Sequence, residues 1–293
     1  VAYFNILKAM RILDVARQAL TQVTAHRDMA QGFFDAGLIP LNDLLTAEVE
    51  LSNGRQFLTR AENGLEMAKS RFNMVLRQDL DIPVAIEDIL SDRPYDRTLA
   101  ECTAAARENR PEINTAMLRV EQARSLVKLS KSELYPRVNL VGNYARYGDT
   151  PGMQGSPYKD QETWYVMGVA DWNFWEWGRT KNRVEASRNR ERQAADLLDQ
   201  TRDQVALEVK NAYLLLREAE EQIRVSKQAV EQAEENFRVN TERYREQVGT
   251  ATEVIDAQTL VTRARADYYN ALGDVGIGRA VLERAMGLPW SGI

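Results

Sequence analysis

Residues 179–244 read RTKNRVEASRNRERQAADLLDQTRDQVALEVKNAYLLLREAEEQIRVSKQAVEQAEENFRVNTERY, without a proline or a glycine, and this stretch decides the fold. Its apolar and small side chains recur at alternating steps of three and four residues, so the pattern repeats every seven, as in a left-handed coiled coil. Successive positions include Val205, Val209, Ala212 and Leu216. At 1.5 Å per residue a continuous helix here would be roughly 100 Å long, several times an ordinary globular helix. One small core cannot cover such a helix, so the sequence predicts partners that are equally long helices.

The heptad pattern occurs in two copies, which superimpose when the sequence is shifted by 210 residues. One position is small in every heptad of the clearest stretch. The matched pairs are Ala47/Ala257, Gly54/Ala264, Ala61/Ala271 and Ala68/Gly278. Small side chains let neighbouring backbones approach more closely than leucine packing allows, which is typical of a wall of many helices packed side by side. Arg27, which is matched with Phe237, departs from the pattern.

A turn interrupts each copy of the repeat. The first turn contains Gly37 and Pro40, and the second contains Gly249. Glycine and proline end helices and allow the chain to reverse. The sequence therefore predicts two helical hairpins with tips near residues 34–47 and 244–257, in which Gly37 and Gly249 mark the turns.

Between the two copies, the apolar pattern changes to an alternation of every second residue. Residues 137–147 and 163–175 each have about the length that a tilted strand needs to cross a bilayer. The segment 148–162 between them is rich in glycine, proline, aspartate and glutamine, so we expect an exposed loop there. This part of the chain is predicted to be an antiparallel strand pair.

The second predicted strand has one uncharged face and one face with polar residues, as expected for a barrel wall between lipid and water. Four of the five tryptophans lie in or just after it, namely Trp164, Trp172, Trp175 and Trp177. Such rings concentrate at membrane interfaces, so they predict an aromatic belt. A soluble hairpin with a small aromatic core is the alternative. Two strands leave edges that other chains, or sequence outside this stretch, must pair.

The composition argues against several classes of protein. No run of about 18 uncharged apolar residues occurs, so no transmembrane helix is expected. The formal net charge is -5 without a long block of like charge, which gives no electrostatic case for nucleic acid. The single histidine, His26, excludes His-pair metal sites and argues against a Ser–His–Asp triad. The single cysteine, Cys102, cannot form an internal disulfide. We expect no enzyme activity and no cofactor or metal.

Short stretches in a characteristic order resemble the TolC-like family of outer-membrane efflux proteins. Residues 109–112, Asn-Arg-Pro-Glu, resemble the family's segment before a strand-leading helix. Residues 174–179, Phe-Trp-Glu-Trp-Gly-Arg, resemble its exit from the last strand into a long helix. Residues 2–7 resemble the start of its first long helix, and residues 248–250 and 253–257 resemble its second hairpin tip. These stretches occur in the family's order and are spread across essentially the whole chain.

The resemblance implies a mainly α fold of very long coiled-coil hairpins with an inserted antiparallel strand pair. Three protomers would complete a twelve-stranded β-barrel above an α-helical tunnel, and the first strand pair of each protomer is expected to precede Val1. The expected domains are the first-repeat hairpin (1–79), an equatorial linker (80–97), a helix leading to the strands (98–135), the outer-membrane β-hairpin (136–178) and the second-repeat hairpin (179–289).

The implied function is a passive duct of a tripartite efflux pump or a type I secretion system. It would lie in the outer membrane of a Gram-negative cell and extend into the periplasm. The implied partners are two further copies of the chain in a homotrimer, a periplasmic adaptor (membrane fusion) protein, an inner-membrane pump of the RND, ABC or MFS type, and outer-membrane lipid. The alternative is a soluble coiled-coil tether or periplasmic adaptor, which would have no use for two tryptophan-rich amphipathic strands.

The resemblance also implies a periplasmic gate at the hairpin tips. Glu253 and Asp256 align with acidic positions that narrow the entrance in relatives, where rings of carboxylates favour cations. The alternative is that both are ordinary acids at a helix N-terminus, favoured by the helix dipole.

Relatives close this gate with a latch between the tips. Tyr244 and Asp43 match its tyrosine and its aspartate, so a phenol–carboxylate hydrogen bond is expected. The position of the latch arginine is occupied by Ala251, for which Arg243 or Arg245 is the available substitute.

Overall fold

The structure is a computed structural model that describes residues 1–148, 150–152 and 162–289. Its elements are α1 (Ala2–Asp35), α2 (Leu41–Val75), α3 (Leu99–Asn109), α4 (Pro111–Ser132), β1 (Arg137–Arg146), β2 (Glu162–Asp171), α5 (Arg179–Arg245) and α6 (Ala251–Ala285). The chain is thus mainly helical with one strand pair, which confirms the predicted fold class. α5 is continuous over 67 residues, in keeping with the lack of helix-breaking residues. None of the described helices contains a stretch long and apolar enough to cross a membrane.

The chain forms two compact units. The first contains Val1–Arg110 and Val205–Ile293, and the second contains Pro111–Gln204. The first unit therefore holds α1, α2, α3, α6 and the C-terminal part of α5. The second unit holds α4, both strands and the N-terminal part of α5.

The first unit contains α1 with α2, and the C-terminal part of α5 with α6. Their helix ends are related by the 210-residue shift, and the paired ends are Asp35/Arg245, Leu41/Ala251 and Val75/Ala285. Ala47 and Ala257, which the repeat places in equivalent positions, are both buried. The helix boundaries therefore follow the 210-residue shift that the sequence predicts.

The turn of the first hairpin follows a common way of ending a helix. Gly37 has φ 72°, and the N–H of Leu38 donates to the carbonyl oxygen of Phe33 at 2.8 Å. This left-handed conformation satisfies a carbonyl group that the last helical turn leaves without a partner, and glycine adopts it without strain.

The second turn has the same geometry with a different residue in the left-handed position. Gln247 has φ 62°, and the N–H of Val248 donates to the carbonyl oxygen of Arg243 at 2.9 Å. Gly249 lies in the turn as predicted, but it is Gln247 that matches Gly37 across the repeat. Gly249 instead allows a close approach, because a Cβ there would lie 3.1 Å from the Cβ of Arg243.

Small side chains bring the two helices of each hairpin together. α1 and α2 meet in one cluster at Leu13, Ala16 and Ala61, and in another at Ala30, Leu44 and Ala47. α5 and α6 meet at Ala233, Val261 and Ala264. In each cluster an alanine lies opposite larger side chains, so the backbones approach closely without voids.

The two hairpins contact each other mainly through α1 and α6. Gly276 of α6 faces Phe4 so closely that an added Cβ would lie 2.2 Å from the ring. Gly273 is equally close to the side chain of Lys8, whose Nζ pairs with Asp274 at 2.8 Å. The lysine stem can move aside, but the buried aromatic ring cannot, so the contact at Gly276 requires glycine.

The linker 80–97 has no helix or strand and is bonded to the helices of the first unit. The side-chain amide of Asn73 donates to the carbonyl oxygens of Leu80 and Ile82 at 3.1 and 2.9 Å. The backbone N–H of Tyr95 donates to the carboxylate of Glu220 at 2.7 Å. These bonds give backbone groups of a proline-containing segment partners that regular secondary structure would otherwise supply.

The strands of the second unit pair antiparallel, with Arg137 opposite Asp171 at one end of the ladder. The predicted strand pair is confirmed, although its second strand ends at Asp171 and not at the predicted Trp175. The next residue of the first strand would be Pro136, which has no N–H to donate, so the ladder stops there. Of the predicted loop 148–162, Asp149 and residues 153–161 lie outside the described residues.

The register divides the strand pair into two faces. One face carries Val138, Leu140, Gly142 and Tyr144 of β1 opposite Ala170, Gly168, Val166 and Trp164 of β2, and it ends in the charged pair Arg146 and Glu162. The uncharged stretch predicted for the second strand therefore continues across the first, up to that charged pair. The opposite face includes Asn139 and Asn143.

Two glycine-to-alanine changes test the contact between the hairpins. We expect Gly276→Ala to lower the free energy of unfolding by about 1–3 kcal/mol, because the new methyl group overpacks against Phe4. Gly64→Ala is the matched control, since Gly64 also lies inside a helix but has no atom within 4 Å of a Cβ placed there. The free energy of unfolding of the Gly64→Ala control should rise by about 0.5–1 kcal/mol. Denaturant unfolding followed by circular dichroism measures both, and a Gly276→Ala chain as stable as the control would contradict the packing.

Candidate functional site

The tips of the two hairpins bring together side chains from α1, α5 and α6. Tyr244, near the end of α5, is 3% exposed and packs with Ala251 and Val254 of α6. Its ring lies 5.0 Å from the ring of His26 and 5.5 Å from the ring of Phe33, both on α1. Tyr244 therefore joins the first hairpin to the second through ring packing.

The predicted hydrogen bond between Tyr244 and Asp43 does not form within the described chain. Among the residues that the structure describes, the buried hydroxyl of Tyr244 has no hydrogen-bond partner. Burial, and secondarily the negative charge of Asp43, raise the pKa of Tyr244. Asp43 is near enough to act through its charge, but it lies in the first turn of α2, where its carboxylate accepts a bond from Asn42 at 3.0 Å. The ring is held inward by aromatic packing, and this explains why the hydroxyl does not reach the carboxylate.

The two arginines available to replace the missing latch arginine are paired within their own hairpin. The guanidinium of Arg243 donates to the carbonyl oxygen of Val248 at 3.4 Å and lies 3.7 Å from the carboxylate of Glu253. Arg245 pairs with Glu242 at 2.9 Å, three residues earlier on the same helix. Neither arginine joins the two hairpins in this structure.

The acidic residues Glu253 and Asp256 lie in different environments. Glu253 is the third residue of α6 and forms a capping box with Thr250: its carboxylate accepts the Thr250 N–H at 2.9 Å, and its own N–H donates to the Thr250 hydroxyl at 3.3 Å. This favours the helix-capping interpretation of Glu253. Asp256 is exposed one turn further on. The carboxylate of Asp256 therefore takes no part in the capping box.

A polar layer lies beside Tyr244, and the sequence analysis did not identify it as functional. His26 and Gln258 are 8% and 5% exposed, and the amide of Gln258 donates to the side-chain oxygen of Gln22 at 2.7 Å. Burial lowers the pKa of His26. The sequence signal of this layer is the single histidine, which lies three residues after the apolar Val23. The structure places it in the packing between the hairpins.

The four tryptophans of the predicted belt are all exposed. Trp164 lies in β2, and the other three follow the end of that strand. The indole N–H of Trp172 donates to the carbonyl oxygen of Leu134 at 3.2 Å. The rings of Trp175 and Trp177 pack edge to face at 5.6 Å. The cluster is therefore ordered by local contacts while its apolar surface faces outward, which is unusual for residues of this size.

Comparison with known proteins agrees with this architecture. The profile of the outer membrane efflux protein family matches residues 103–288. Protein CyaE of Bordetella pertussis is 24% identical over 275 residues, which cover 92% of this chain and 57% of CyaE. The chain thus spans a little over half the length of that curated relative.

Solved structures have the same fold. The outer membrane protein VceC of Vibrio cholerae matches with a TM-score of 0.81 and 17% identity, over 99% of this chain and 69% of VceC. The MtrE outer membrane channel of Neisseria gonorrhoeae, in its open state, matches with a TM-score of 0.77 and 17% identity, over 98% of this chain and 64% of MtrE.

The unbonded hydroxyl of Tyr244 leads to a stability prediction. Tyr244→Phe should raise the free energy of unfolding by up to about 1 kcal/mol, because a buried hydroxyl without a partner carries a desolvation cost of about 1–3 kcal/mol. The raised pKa favours the neutral phenol in the folded chain, so wild-type stability falls as the pH rises above about 10 and the variant's advantage grows.

Tyr213→Phe is the control for this measurement. The hydroxyl of Tyr213 accepts bonds from Arg217 at 3.1 and 3.0 Å at the surface, so its removal should be neutral or slightly destabilising. Denaturant unfolding at pH 7.5 and 10.5 compares the two variants. A loss of more than about 1 kcal/mol in Tyr244→Phe at pH 7.5 would mean that the hydroxyl has a partner after all.

Proposed function

We propose, since this chain belongs to the outer membrane efflux protein family, that it forms the greater part of one protomer of a passive export duct. The duct serves a tripartite efflux pump or a type I secretion system. It crosses the outer membrane and extends into the periplasm, and an inner-membrane pump supplies the energy. The observation that carries the proposal is the combination, in one family member, of two repeated long hairpins with a strand pair that has an uncharged face.

The strand pair supports an outer-membrane location. An eight-residue uncharged face that includes Leu140, Tyr144, Trp164 and Val166 is suited to contact lipid, while asparagines face the other way. Exposed tryptophans at its end fit the interface between lipid and water. A soluble tether offers no role for such a face, because in water it would promote aggregation.

Assembly with further copies of the chain is supported by the groups that one chain leaves unpaired. The sheet has two strands, so both of its outer edges carry backbone groups that need partners in a membrane. The long helix α5 also exposes Leu207, Leu214 and Leu215. Packing of copies side by side in a homotrimer satisfies both requirements and encloses a water-filled tunnel.

The hairpin tips are the proposed periplasmic gate, the place where an adaptor protein and the pump engage. Asp256 is our candidate for a ring of carboxylates around the entrance, because it is exposed and not used to cap its helix. Glu253, Tyr244 and Asp43 belong to the same region. We assign Glu253 to the cap of α6, Tyr244 to the packing of the closed tips, and Asp43 to their charge.

The membrane orientation is tested by labelling single cysteines with a membrane-impermeant maleimide on intact cells. Gly152→Cys, in the exposed segment after β1, should react because the proposed orientation places it outside the cell. Thr252→Cys, exposed at the second tip, is the matched control and should react only after the outer membrane is permeabilised. The native Cys102 is buried and should give little background. Reaction of Gly152→Cys only after permeabilisation would refute the orientation.

Ion selectivity tests the assignment of the acidic residues. In planar bilayers containing the full-length protein, Asp256→Asn should lower the ratio of cation to anion permeability, since each copy loses one charge from the proposed ring. Glu253→Gln should change this ratio less, because glutamine keeps the capping box and the carboxylate already has partners. Reversal potentials in a salt gradient give both ratios. The assignment fails if Glu253→Gln has the larger effect.

A further inference from the structure

The seam between the two hairpins is apolar along most of its length but contains one buried polar layer. Its members are Gln22 and His26 on α1 and Gln258 on α6, with the hydroxyl of Tyr244 beside them. Three buried polar atoms have no partner within the described residues: Nε2 of His26, Oε1 of Gln258 and the oxygen of Tyr244. Buried polar atoms without partners oppose packing, so this layer weakens the contact between the hairpins.

The histidine has no counter-charge in the packed state. Glu50 on α2 lines the same small cavity as His26, and Arg27 is its neighbour on α1. Glu50 accepts a bond from Asn53 at 3.1 Å, and Arg27 pairs with Asp28 at 3.1 Å. Asp43 acts on Tyr244, and the second tip adds Arg243, Glu253 and Asp256. None of these groups forms an ion pair with the imidazole within the described chain.

Solvent gives little stabilisation to a charge at this position either, since His26 is 8% exposed. The cavity between His26, Gln258 and Phe237 has a volume of about 10 Å³, which is at the lower limit for a single water molecule. A protonated imidazole would therefore become well hydrated only if α1 and α6 moved apart.

We propose that this layer is a pH-sensitive contact, in which protonation of His26 separates the second hairpin from the first. The contact lies at the tips, where the proposed function places the gate, so its role in opening a duct rests on that function. The response of the contact itself to pH does not depend on the proposed function. Acidification of the periplasm would then favour the open arrangement of the tips.

The direction of the effect follows from proton linkage. Burial lowers the pKa of His26 in the packed state, whereas a solvated histidine in the separated state has its ordinary pKa of about 6.5. Well above this pH both states are neutral, and the contact is at full strength. As the pH falls below about 6.5, only the separated state takes up the proton, and its ratio to the packed state rises by up to about tenfold per pH unit. This ratio stops rising when the pH falls to the lowered pKa of His26 in the packed state.

The test measures the distance between the tips in the full-length protein in lipid nanodiscs. Spin labels at Asp35→Cys, at the end of α1, and at Thr252→Cys, at the start of α6, are both exposed and lie beyond the polar layer. Dilution with unlabelled protomers restricts the signal to pairs within one chain. Pulsed electron resonance should show a single short distance at pH 7.5 and up to about tenfold more of a longer distance at pH 5.5.

His26→Gln and His26→Phe isolate the histidine from all other titrating groups. Both side chains fill the position without taking a proton, so the distance distribution of each variant should not change between the two pH values. Either variant that keeps its thermal melting temperature at pH 7.5 serves for this comparison. His26→Gln combined with Asn236→His is the matched control, because Asn236 is the equivalent of His26 in the repeat and is exposed. Returning the histidine there should not restore the response.

Two results would overturn the proposal. One is a distance distribution of the wild-type chain that is the same at pH 7.5 and 5.5. The other is a pH response of equal size in the His26 variants, which would assign it to the carboxylates. Transport plays no part in the readout, so failure of this test leaves the proposed duct intact, and a protein that fails to conduct still permits the test.

Discussion

The close approach of helix backbones at small side chains is the constraint on which the rest of the structure depends. Ala47 and Ala257 are buried at equivalent positions of the two hairpins, and Gly276 receives the ring of Phe4 where the hairpins meet. A larger residue at any of these positions would push two long helices apart. Because the helices are long, a local displacement would be carried along many turns, and this explains why the small positions recur so regularly.

The same seam has to hold the hairpins together and, in the proposed duct, to let them part at the tips. Apolar packing along the seam supplies the first property. The polar layer of His26, Gln258 and Gln22 supplies the second, since its unsatisfied atoms make this contact weaker than the rest. The ring of Tyr244 bridges the hairpins beside this layer without a hydrogen bond of its own. The tips are thus held by shape and aromatic packing, which a small change in charge or geometry can release.

The helices of the hairpins pack against each other within the chain, whereas in the described part of the chain the strand pair has few such contacts. Its register collects eight uncharged residues on one face, next to the charged pair Arg146 and Glu162, and within the described residues no further strand pairs with either sheet edge. Neither feature is stable in water for an isolated two-stranded sheet. In the proposed duct, lipid on the uncharged stretch and neighbouring strands on the edges would meet both needs, and the exposed tryptophans after β2 would lie at the border of the lipid phase.

The sequence by itself determined the long helices, the 210-residue repeat, the strand pair and the family, because each depends on a local period, on helix-breaking residues or on short motifs. Tertiary structure decided the details that depend on contacts between distant segments. In the second turn, the left-handed residue is Gln247. The second strand ends at Asp171, which pairs with Arg137, the residue after Pro136. Glu253 caps the helix α6. Tertiary structure also turned the phenol of Tyr244 away from a hydrogen bond with Asp43 and buried His26 between the hairpins. A heptad pattern shows which side of a helix is covered, but only the packing of several helices fixes which polar atom finds a partner and which is left without one.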